Sequence, residues 1–327
     1  MMTDVILLVI GFALLVAGGE LLVRGAVRLA ERLGLSPMLI GLTVVGLGTS
    51  TPELAASVQA SLAGSPGIAL GNIVGSNMAN LLLILGISAA IAPIAVARGV
   101  LWRDGGVGIL AAFALLGVGL TVGLDRPAGL AFLAATAGYI YFAYRQERLG
   151  GPHGAAYDRA LAVEEADPAL VPHETPGARL LPAVLLFLAG LALVVGGGTL
   201  VVDAAISVAG ALGVADEVIG LTVVAVGTSL PELVTSAAAA FRKQGDIALG
   251  NVLGSNIYNL LFIGGVTGLA APAAVPSSIL AFDLWALIGV AALAMLFAFT
   301  GGRINRIEGL LLVAGYGLYA GYTAGLI

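Results

Sequence analysis

The sequence has no cysteine among its 327 residues, and only 10% of them carry a charge. The lack of cysteine excludes disulfide bonds and thiolate metal sites. A formal net charge of −5 is small for this length and argues against a nucleic-acid-binding surface. Histidine is also rare. His153 and His173 lie in a polar segment, where we interpret them as solvated loop residues rather than metal ligands.

Apolar sequence takes the place of the missing charge. Hydrophobic residues make up 59% of the chain, and the mean hydropathy is +1.07. Apolar runs long enough to cross a bilayer recur along the chain, and 48 glycines suit the close approach of helices in lipid. The first apolar run follows no basic residues, so we interpret it as a retained helix rather than a signal peptide. The composition therefore predicts an all-α integral membrane protein.

One stretch of the chain occurs twice, at residues 41–86 and 220–265. At a constant offset of 179 residues, without gaps, 26 of the 46 positions are identical. Both copies contain the motif Gly-Thr-Ser-x-Pro-Glu followed by Gly-Asn-x-x-Gly-Ser-Asn-x-x-Asn. An apolar composition does not align a glutamate and three asparagines by chance. The chain therefore contains an internal duplication.

Ten apolar stretches bounded by turn signals predict ten membrane spans. The stretches cover residues 5–31, 37–62, 68–93, 105–124, 128–145, 180–210, 217–241, 247–271, 278–300 and 307–326. If both termini lie outside, 13 of the 14 basic residues fall on the inner side, and only Arg126 falls outside. This distribution is a strong positive-inside signal and predicts a multi-pass protein of the inner or plasma membrane.

Five spans per half is an odd number, so the second half must cross the membrane upside down relative to the first. We therefore predict two inverted five-helix repeats, at residues 1–145 and 179–327, joined by a cytoplasmic linker at 146–178. The linker is the one sizeable polar segment, with four prolines and six acidic residues. Inverted repeats are typical of secondary transporters, whose binding site lies near the membrane midplane where the halves meet.

Two glutamates lie deep in apolar segments, at equivalent positions of the two copies. An ionised carboxylate in hydrocarbon costs several kcal/mol, so Glu53 and Glu232 should face a wet cavity, a cation or a proton. Pro52 and Pro231 precede them and should break the helix and free backbone carbonyls. Carboxylate, hydroxyl and carbonyl oxygens in one broken turn form a hard ligand set that suits Ca²⁺ or Na⁺.

The second motif adds further oxygen ligands. Ser76 and Asn80 are four residues apart, so their side chains share one helical face, and Ser255 and Asn259 repeat this arrangement. The remaining amides could instead bridge helices or satisfy the broken helix ends; these are Asn72, Asn77, Asn251 and Asn256. Close packing of small residues is the alternative explanation for the whole motif. It accounts for Gly, Ser and Thr but not for two buried glutamates.

At these residues the chain resembles the sodium/calcium exchangers of the cation/calcium antiporter superfamily, in their prokaryotic form. The paired motifs, their spacing and the ten-span inverted layout all match. The resemblance implies a Ca²⁺ site formed by Glu53 and Glu232 with the backbone around Thr49 and Thr228. It also implies Na⁺ sites that share these glutamates and add further side chains, namely Ser50, Ser76, Asn80, Ser229, Ser255 and Asn259.

The resemblance also implies how such a protein moves. The first and sixth spans would slide across the remaining eight, and here both are long and glycine-rich. We expect Gly18 and Gly197 to lie on the sliding surface, and we expect Glu20 to pair with Arg24 one turn further on. Several exchangers carry aspartate at the position of Asn259, so the site in this chain has only two carboxylates.

We therefore predict a secondary antiporter that exchanges Ca²⁺ for Na⁺ by alternating access, with Ca²⁺/H⁺ antiport as the alternative, because a desolvated glutamate can take up a proton. A channel would need a continuous pore, and an intramembrane enzyme would need an activated nucleophile or a metal set. We expect no catalytic activity, no cofactor beyond the transported ions and no nucleic-acid partner. The lipid bilayer is the expected surrounding, and a monomer the expected functional unit.

Overall fold

The computed structural model describes residues 2–149, 180–211, 225–323 and 325, and these residues are almost entirely helical. We number the helices in chain order. They are α1 (Met2–Leu33), α2 (Met38–Thr49), α3 (Thr51–Leu62), α4 (Pro66–Ile91), α5 (Arg98–Thr121), α6 (Arg126–Leu149), α7 (Leu180–Ala211), α8 (Ala225–Thr228), α9 (Leu230–Phe241), α10 (Gly245–Ala270), α11 (Ile279–Gly301) and α12 (Arg306–Thr323).

The prediction of an all-α membrane protein is confirmed. In the described part of the chain, six helices are long and apolar enough to cross a membrane, and α2 with α3 makes a seventh if they count as one bent span. The predicted spans coincide with these helices, and the largest shift is at the fourth span, where α5 begins at Arg98 instead of residue 105. Residues 217–224 of the seventh predicted span and nearly all of the linker lie outside the described residues.

The helix that carries each motif breaks at a serine, as the prolines predict. Ser50 separates α2 from α3, with φ −80° and ψ 8°, and the two helices bend by 43°. Ser229 separates α8 from α9 with nearly the same backbone angles, φ −88° and ψ 7°. Pro52 and Pro231 then lie in the first turn of the following helix, where their missing N–H leaves no hydrogen bond unmade.

Short strand pairings repeat the internal symmetry at opposite ends of the bundle. Strand β1 (Ile94–Ala95) pairs antiparallel with β2 (Arg303–Ile304). A single bridge joins Leu124 to Ala273, and these positions are related to Arg303 and Ile94 by the 179-residue offset. Each connection after one repeat's third span thus meets the corresponding connection of the other repeat, as an inverted pair requires.

Helices α1 and α7 pack along their length through glycines that bring the two backbones into contact. A Cβ atom added at Gly25 would lie 2.5 Å from the backbone nitrogen of Phe187, and one at Gly190 would lie 2.3 Å from that of Leu22. The expectation that Gly18 and Gly197 lie on the surface toward the other helices is wrong, because both face the partner helix within this pair. Their sequence neighbours Gly19 and Gly198 face α9 instead, at Val234 and Pro231.

An ion pair connects α1 to the end of α9. Glu20 binds Arg24 one turn further along α1, as expected, and it also binds the guanidinium group of Arg242 through both carboxylate oxygens. The second partner was not expected. The equivalent positions are Thr199 and Ala63, so the interaction has no counterpart in the other half of the fold.

The close contact between α1 and α7 leads to a testable expectation. Gly190→Ala should separate the helices at Leu22 and lower stability by about 1–3 kcal/mol, because backbone atoms cannot move aside as a flexible side chain can. Gly196→Ala is the matched control on the same helix, since a Cβ there has no atom within 4 Å. Thermal unfolding in detergent should show a lower Tm for the first variant alone. Equal Tm values would mean that the two backbones do not touch.

Candidate cation-binding site

Both glutamates lie in the centre of the bundle, in the first turn of the helix that follows each break. Glu53 in α3 is 1% exposed and Glu232 in α9 is 0% exposed. The serine break and the following proline turn both carboxylates inward, toward helices α4 and α10. The expectation that the two side chains are buried at equivalent positions is thus met by the geometry.

Each carboxylate accepts a hydrogen bond from the serine at the helix break of the other repeat. The Ser50 hydroxyl donates to Oε1 of Glu232 at 3.0 Å, and the Ser229 hydroxyl donates to Oε1 of Glu53 at 3.1 Å. The site is therefore assembled across the two repeats rather than within one. Hydrogen bonds to a charged acceptor are roughly twice as strong as those between neutral groups, so this crossing ties the halves together.

The serines of α4 and α10 join the same cluster. Ser76 lies 3.3 Å from the hydroxyl of Ser229, and Ser255 lies 3.5 Å from Oε1 of Glu232 and 3.4 Å from the carbonyl oxygen of Gly46. All of these hydroxyls are buried. The structure thus brings four of the predicted serines around the two glutamates.

The asparagines at the start of the second motif bridge helices. Asn251 donates to Ser236 at 2.9 Å and to the carbonyl oxygen of Glu232 at 3.3 Å. Its own amide oxygen accepts from the Thr49 hydroxyl at 3.1 Å. Asn72 repeats all three bonds with the corresponding partners, which are Ser57, the carbonyl of Glu53 and the hydroxyl of Thr228. Of the two roles open to these amides, bridging is the one observed, and the threonine hydroxyls serve the same bridges.

One carboxylate oxygen and one amide oxygen from each repeat are buried without a hydrogen-bond donor. In the described part of the chain these atoms are Oε2 of Glu53, Oε2 of Glu232, Oδ1 of Asn80 and Oδ1 of Asn259. Leaving a buried acceptor unpaired costs about 1–3 kcal/mol, and more for a charged group. Oxygen acceptors that converge without donors are what a hard cation requires.

The two amides lie in matching irregular turns. Asn80 is in the π-helical turn Ala79–Ile84 of α4, and Asn259 is in the corresponding turn Tyr258–Ile263 of α10. Such turns widen the helix by one residue and frequently occur at functional sites. Within the described residues, no group of three or more His, Asp and Glu side chains comes together. Amide, hydroxyl and carbonyl oxygens must therefore complete the coordination of any cation held there.

The symmetry between the amides is incomplete. Asn80 donates to the Oδ1 atom of Asn256 at 3.0 Å, whereas Asn77, the counterpart of Asn256, donates to the carbonyl of Ile73 instead. Both side-chain atoms of Asn259 consequently lack a hydrogen-bond partner. The second repeat thus presents a freer amide than the first.

A second pair of matched acids was missed in the sequence. Asp104 in α5 and Asp283 in α11 are 179 residues apart, and each accepts a hydrogen bond from a tyrosine of the next span, Tyr139 at 2.9 Å and Tyr319 at 3.0 Å. Asp104 is fully buried and also binds the guanidinium group of Arg103. The offset alone identifies this pair. Their tyrosine partners make them anchors between neighbouring spans, distinct from the glutamate cluster.

The chain matches a known protein family along most of its length. A sequence model of the family described as "Sodium/calcium exchanger protein" matches residues 3–145 and 182–325. A protein named sodium/calcium exchanger MaX1, from Methanosarcina acetivorans, is 33% identical over 95% of both chains. A putative antiporter CaxA from Alkalimonas amylolytica is 35% identical over 97% of both chains.

The fold is also shared with solved structures. A structure of the sodium-calcium exchanger NCX_Mj without Na⁺ and Ca²⁺ superposes with a TM-score of 0.82 at 31% sequence identity, and the match covers 99% of both chains. A structure of the same exchanger soaked with 10 mM Na⁺ gives a TM-score of 0.80. Ten spans in two inverted repeats are consistent with this fold.

The bridging role of Asn251 can be separated from a role in ion binding. Asn251→Ala should leave Ser236 and the Glu232 carbonyl without their donor, and we expect a loss of about 1–3 kcal/mol in the free energy of unfolding. Asn72→Ala should have the same effect in the other repeat, while Gln59→Ala on the exposed face of α3 should have none. Thermal unfolding in detergent measures all three. An unchanged Tm together with lost Ca²⁺ binding would instead make Asn251 a ligand.

Proposed function

The chain belongs to the sodium/calcium exchanger family, and from this premise we propose that it is a secondary antiporter exchanging Ca²⁺ for Na⁺ by alternating access. The observation that carries the proposal is the set of four buried, donor-free oxygens on Glu53, Glu232, Asn80 and Asn259. The name of its relative from Methanosarcina acetivorans, a sodium/calcium exchanger, supports the same ion pair. Transport of this kind involves no covalent chemistry.

The two glutamates are the proposed shared ligands of both ions. Ca²⁺ takes six to eight oxygen ligands, often including bidentate carboxylates. Glu53 and Glu232 would bind it together with backbone carbonyls around Thr49 and Thr228. Na⁺ would use the same glutamates with neutral oxygens from the neighbouring side chains, which are Ser50, Ser76, Asn80, Ser229, Ser255 and Asn259.

Competition for the same carboxylates couples the two fluxes. Two glutamates compensate one Ca²⁺ or two Na⁺, and the empty site would hold two uncompensated charges out of water. The change between the two access states should therefore be fast only when the charge is balanced. Asn259 is neutral and supplies an amide oxygen where a third carboxylate would demand another cation or a proton.

The two-helix unit of α1 and α7 is the proposed moving part. Its helices contact each other through backbone along glycines, whereas Gly19 and Gly198 meet side chains of α9. Side-chain contacts rearrange more readily than interlocked backbones. Rocking or sliding of one helical unit against the rest, around a fixed site, is the usual motion of inverted-repeat transporters.

The proposed orientation places both termini outside and the 146–178 linker in the cytoplasm, in the inner or plasma membrane. The distribution of Arg and Lys along the chain supports it. We further propose that one chain is sufficient for transport, because both repeats contribute to one site, and that no cofactor is needed beyond the transported ions.

Uptake of ⁴⁵Ca²⁺ into proteoliposomes tests the function directly. A Na⁺ gradient should drive uptake in the absence of a pH gradient, and a pH gradient alone should drive little. Glu53→Gln and Glu232→Gln should each abolish uptake, since a dication loses half of its compensating charge in either variant. Uptake driven by pH and indifferent to Na⁺ would replace the proposal with Ca²⁺/H⁺ antiport.

Matched variants keep that result interpretable. Asp283→Asn removes an acid from a span without touching the glutamate cluster and should retain Na⁺-driven uptake. Thermal unfolding of the glutamate variants should show intact folding, because the serines that bind the glutamates can also bind an amide. Normal Ca²⁺ uptake by both glutamate variants would place the transport site elsewhere.

The orientation can be tested with the chain's own lack of cysteine. A single cysteine placed at Ala156 in the linker should react with a membrane-impermeant maleimide only after intact cells are opened. A single cysteine at Thr3 should react in intact cells. The reverse pattern would contradict the proposed orientation and leave the fold unaffected.

A further inference from the structure

A polar cavity of about 520 Å³ lies where α9 ends, close to the start of α12. Its charged side is formed by Lys243, Asp246 and Arg306, and its apolar side by residues that include Ile91, Pro93 and Phe241. Phe241 is 73% exposed. The cavity therefore combines two cations and one carboxylate with an apolar wall open to the surroundings.

Lys243 is held in a backbone conformation that lysine avoids. Its φ of 60° is the one positive value of a non-glycine residue within the described part of the chain. The equivalent residue of the first repeat is Gly64, with φ +76°. A left-handed conformation costs an L-residue roughly 1–2 kcal/mol compared with glycine. Strain of this kind is concentrated at functional positions, and here it places an ammonium group at the cavity.

The charges of the cavity are absent from its symmetry-related counterpart. The positions equivalent to Lys243, Asp246 and Arg306 are Gly64, Gly67 and Pro127. The backbone turn is therefore part of the duplicated fold, whereas the charged lining belongs to one end of the bundle alone. Helix capping or closure of the turn does not require it, because the uncharged copy makes the same turn.

We propose that this cavity binds a phospholipid, with its phosphate on Lys243 and Arg306 and its glycerol and upper acyl chain against Phe241, Ile91 and Pro93. Spans end or begin at these residues, since α4 ends at Ile91 and α9 at Phe241, so the cavity lies at headgroup level. Basic pockets between spans at a membrane surface are sites of phospholipid headgroups. In the proposed orientation this is the cytoplasmic leaflet.

The apolar wall favours a lipid over a free phosphate anion. A soluble anion would leave the exposed Phe241 ring without a partner, whereas a lipid covers it while its phosphate meets the cations. Asp246 reduces the net positive charge of the lining to one and is available to a headgroup that carries a donor. The lipid would also lie beside Arg242, the residue that connects α9 to Glu20 of α1.

Native mass spectrometry of the purified full-length protein with dioleoylphosphatidylglycerol tests the proposal without measuring transport. Lys243→Gly should weaken retention of one lipid about fivefold, and adding Arg306→Gln about fivefold more, from the usual contribution of a basic residue at a membrane surface. Lys243→Gly restores the residue of the first repeat and should leave Tm unchanged or higher, so misfolding cannot explain the loss. Arg303→Gln is the matched control, an exposed arginine at the same end that does not line the cavity.

The result that would overturn the proposal is equal lipid retention by the wild type and the double variant. Competition by millimolar inorganic phosphate or glycerol 3-phosphate would also overturn it, because the site would then accept a soluble anion. Both readouts are independent of Ca²⁺ flux. A protein that binds the lipid but fails to exchange Ca²⁺ for Na⁺ would refute the proposed function and leave the lipid site in place.

Discussion

Two carboxylates lie out of water in the centre of this bundle, and the rest of the structure is arranged around the cost of that burial. An unpaired ionised carboxylate at such a position costs several kcal/mol. One oxygen of each is satisfied by serines, Glu53 by Ser229 and Glu232 by Ser50. The other oxygen of each has no donor in the described part of the chain. Burial is thus only half compensated by the protein, and a bound cation supplies the remainder in the proposed function.

The helix breaks and the bridging amides exist in support of this arrangement. A continuous helix would point the serine and the glutamate of each motif in fixed relative directions; the break at Ser50 or Ser229 lets one face the opposite repeat. Asn72 and Asn251 then hold the broken helices to α4 and α10 through three hydrogen bonds each. The backbone contact of α1 with α7 is separate from this network and needs only glycines. Rigid ligands and a separate two-helix unit are what a carrier with a fixed site requires.

The sequence predicted the helices and the central residues, because the duplication identifies polar positions against an apolar background. Glu53 and Glu232 could be identified from burial cost alone. The role of Asn72 and Asn251 could not, since an amide that binds a cation and one that bridges helices look the same in sequence. Gly18 and Gly197 were assigned to the wrong surface because adjacent glycines differ by only 100° around the helix. The pair Asp104 and Asp283 was detectable from the offset and was overlooked because neither residue lies in the conserved-looking motifs.

The crossed hydrogen bonds between Ser50 and Glu232 and between Ser229 and Glu53 have a consequence for how such a chain can arise. One repeat alone contains a carboxylate and a serine that cannot reach each other's partner, so it holds an incomplete site. Two copies complete it only if they insert in opposite directions. A half-length ancestor would therefore have needed a balanced charge distribution that allowed both insertions, and fusion of the copies would have removed that need. The arginines could then accumulate on one side, as they have here.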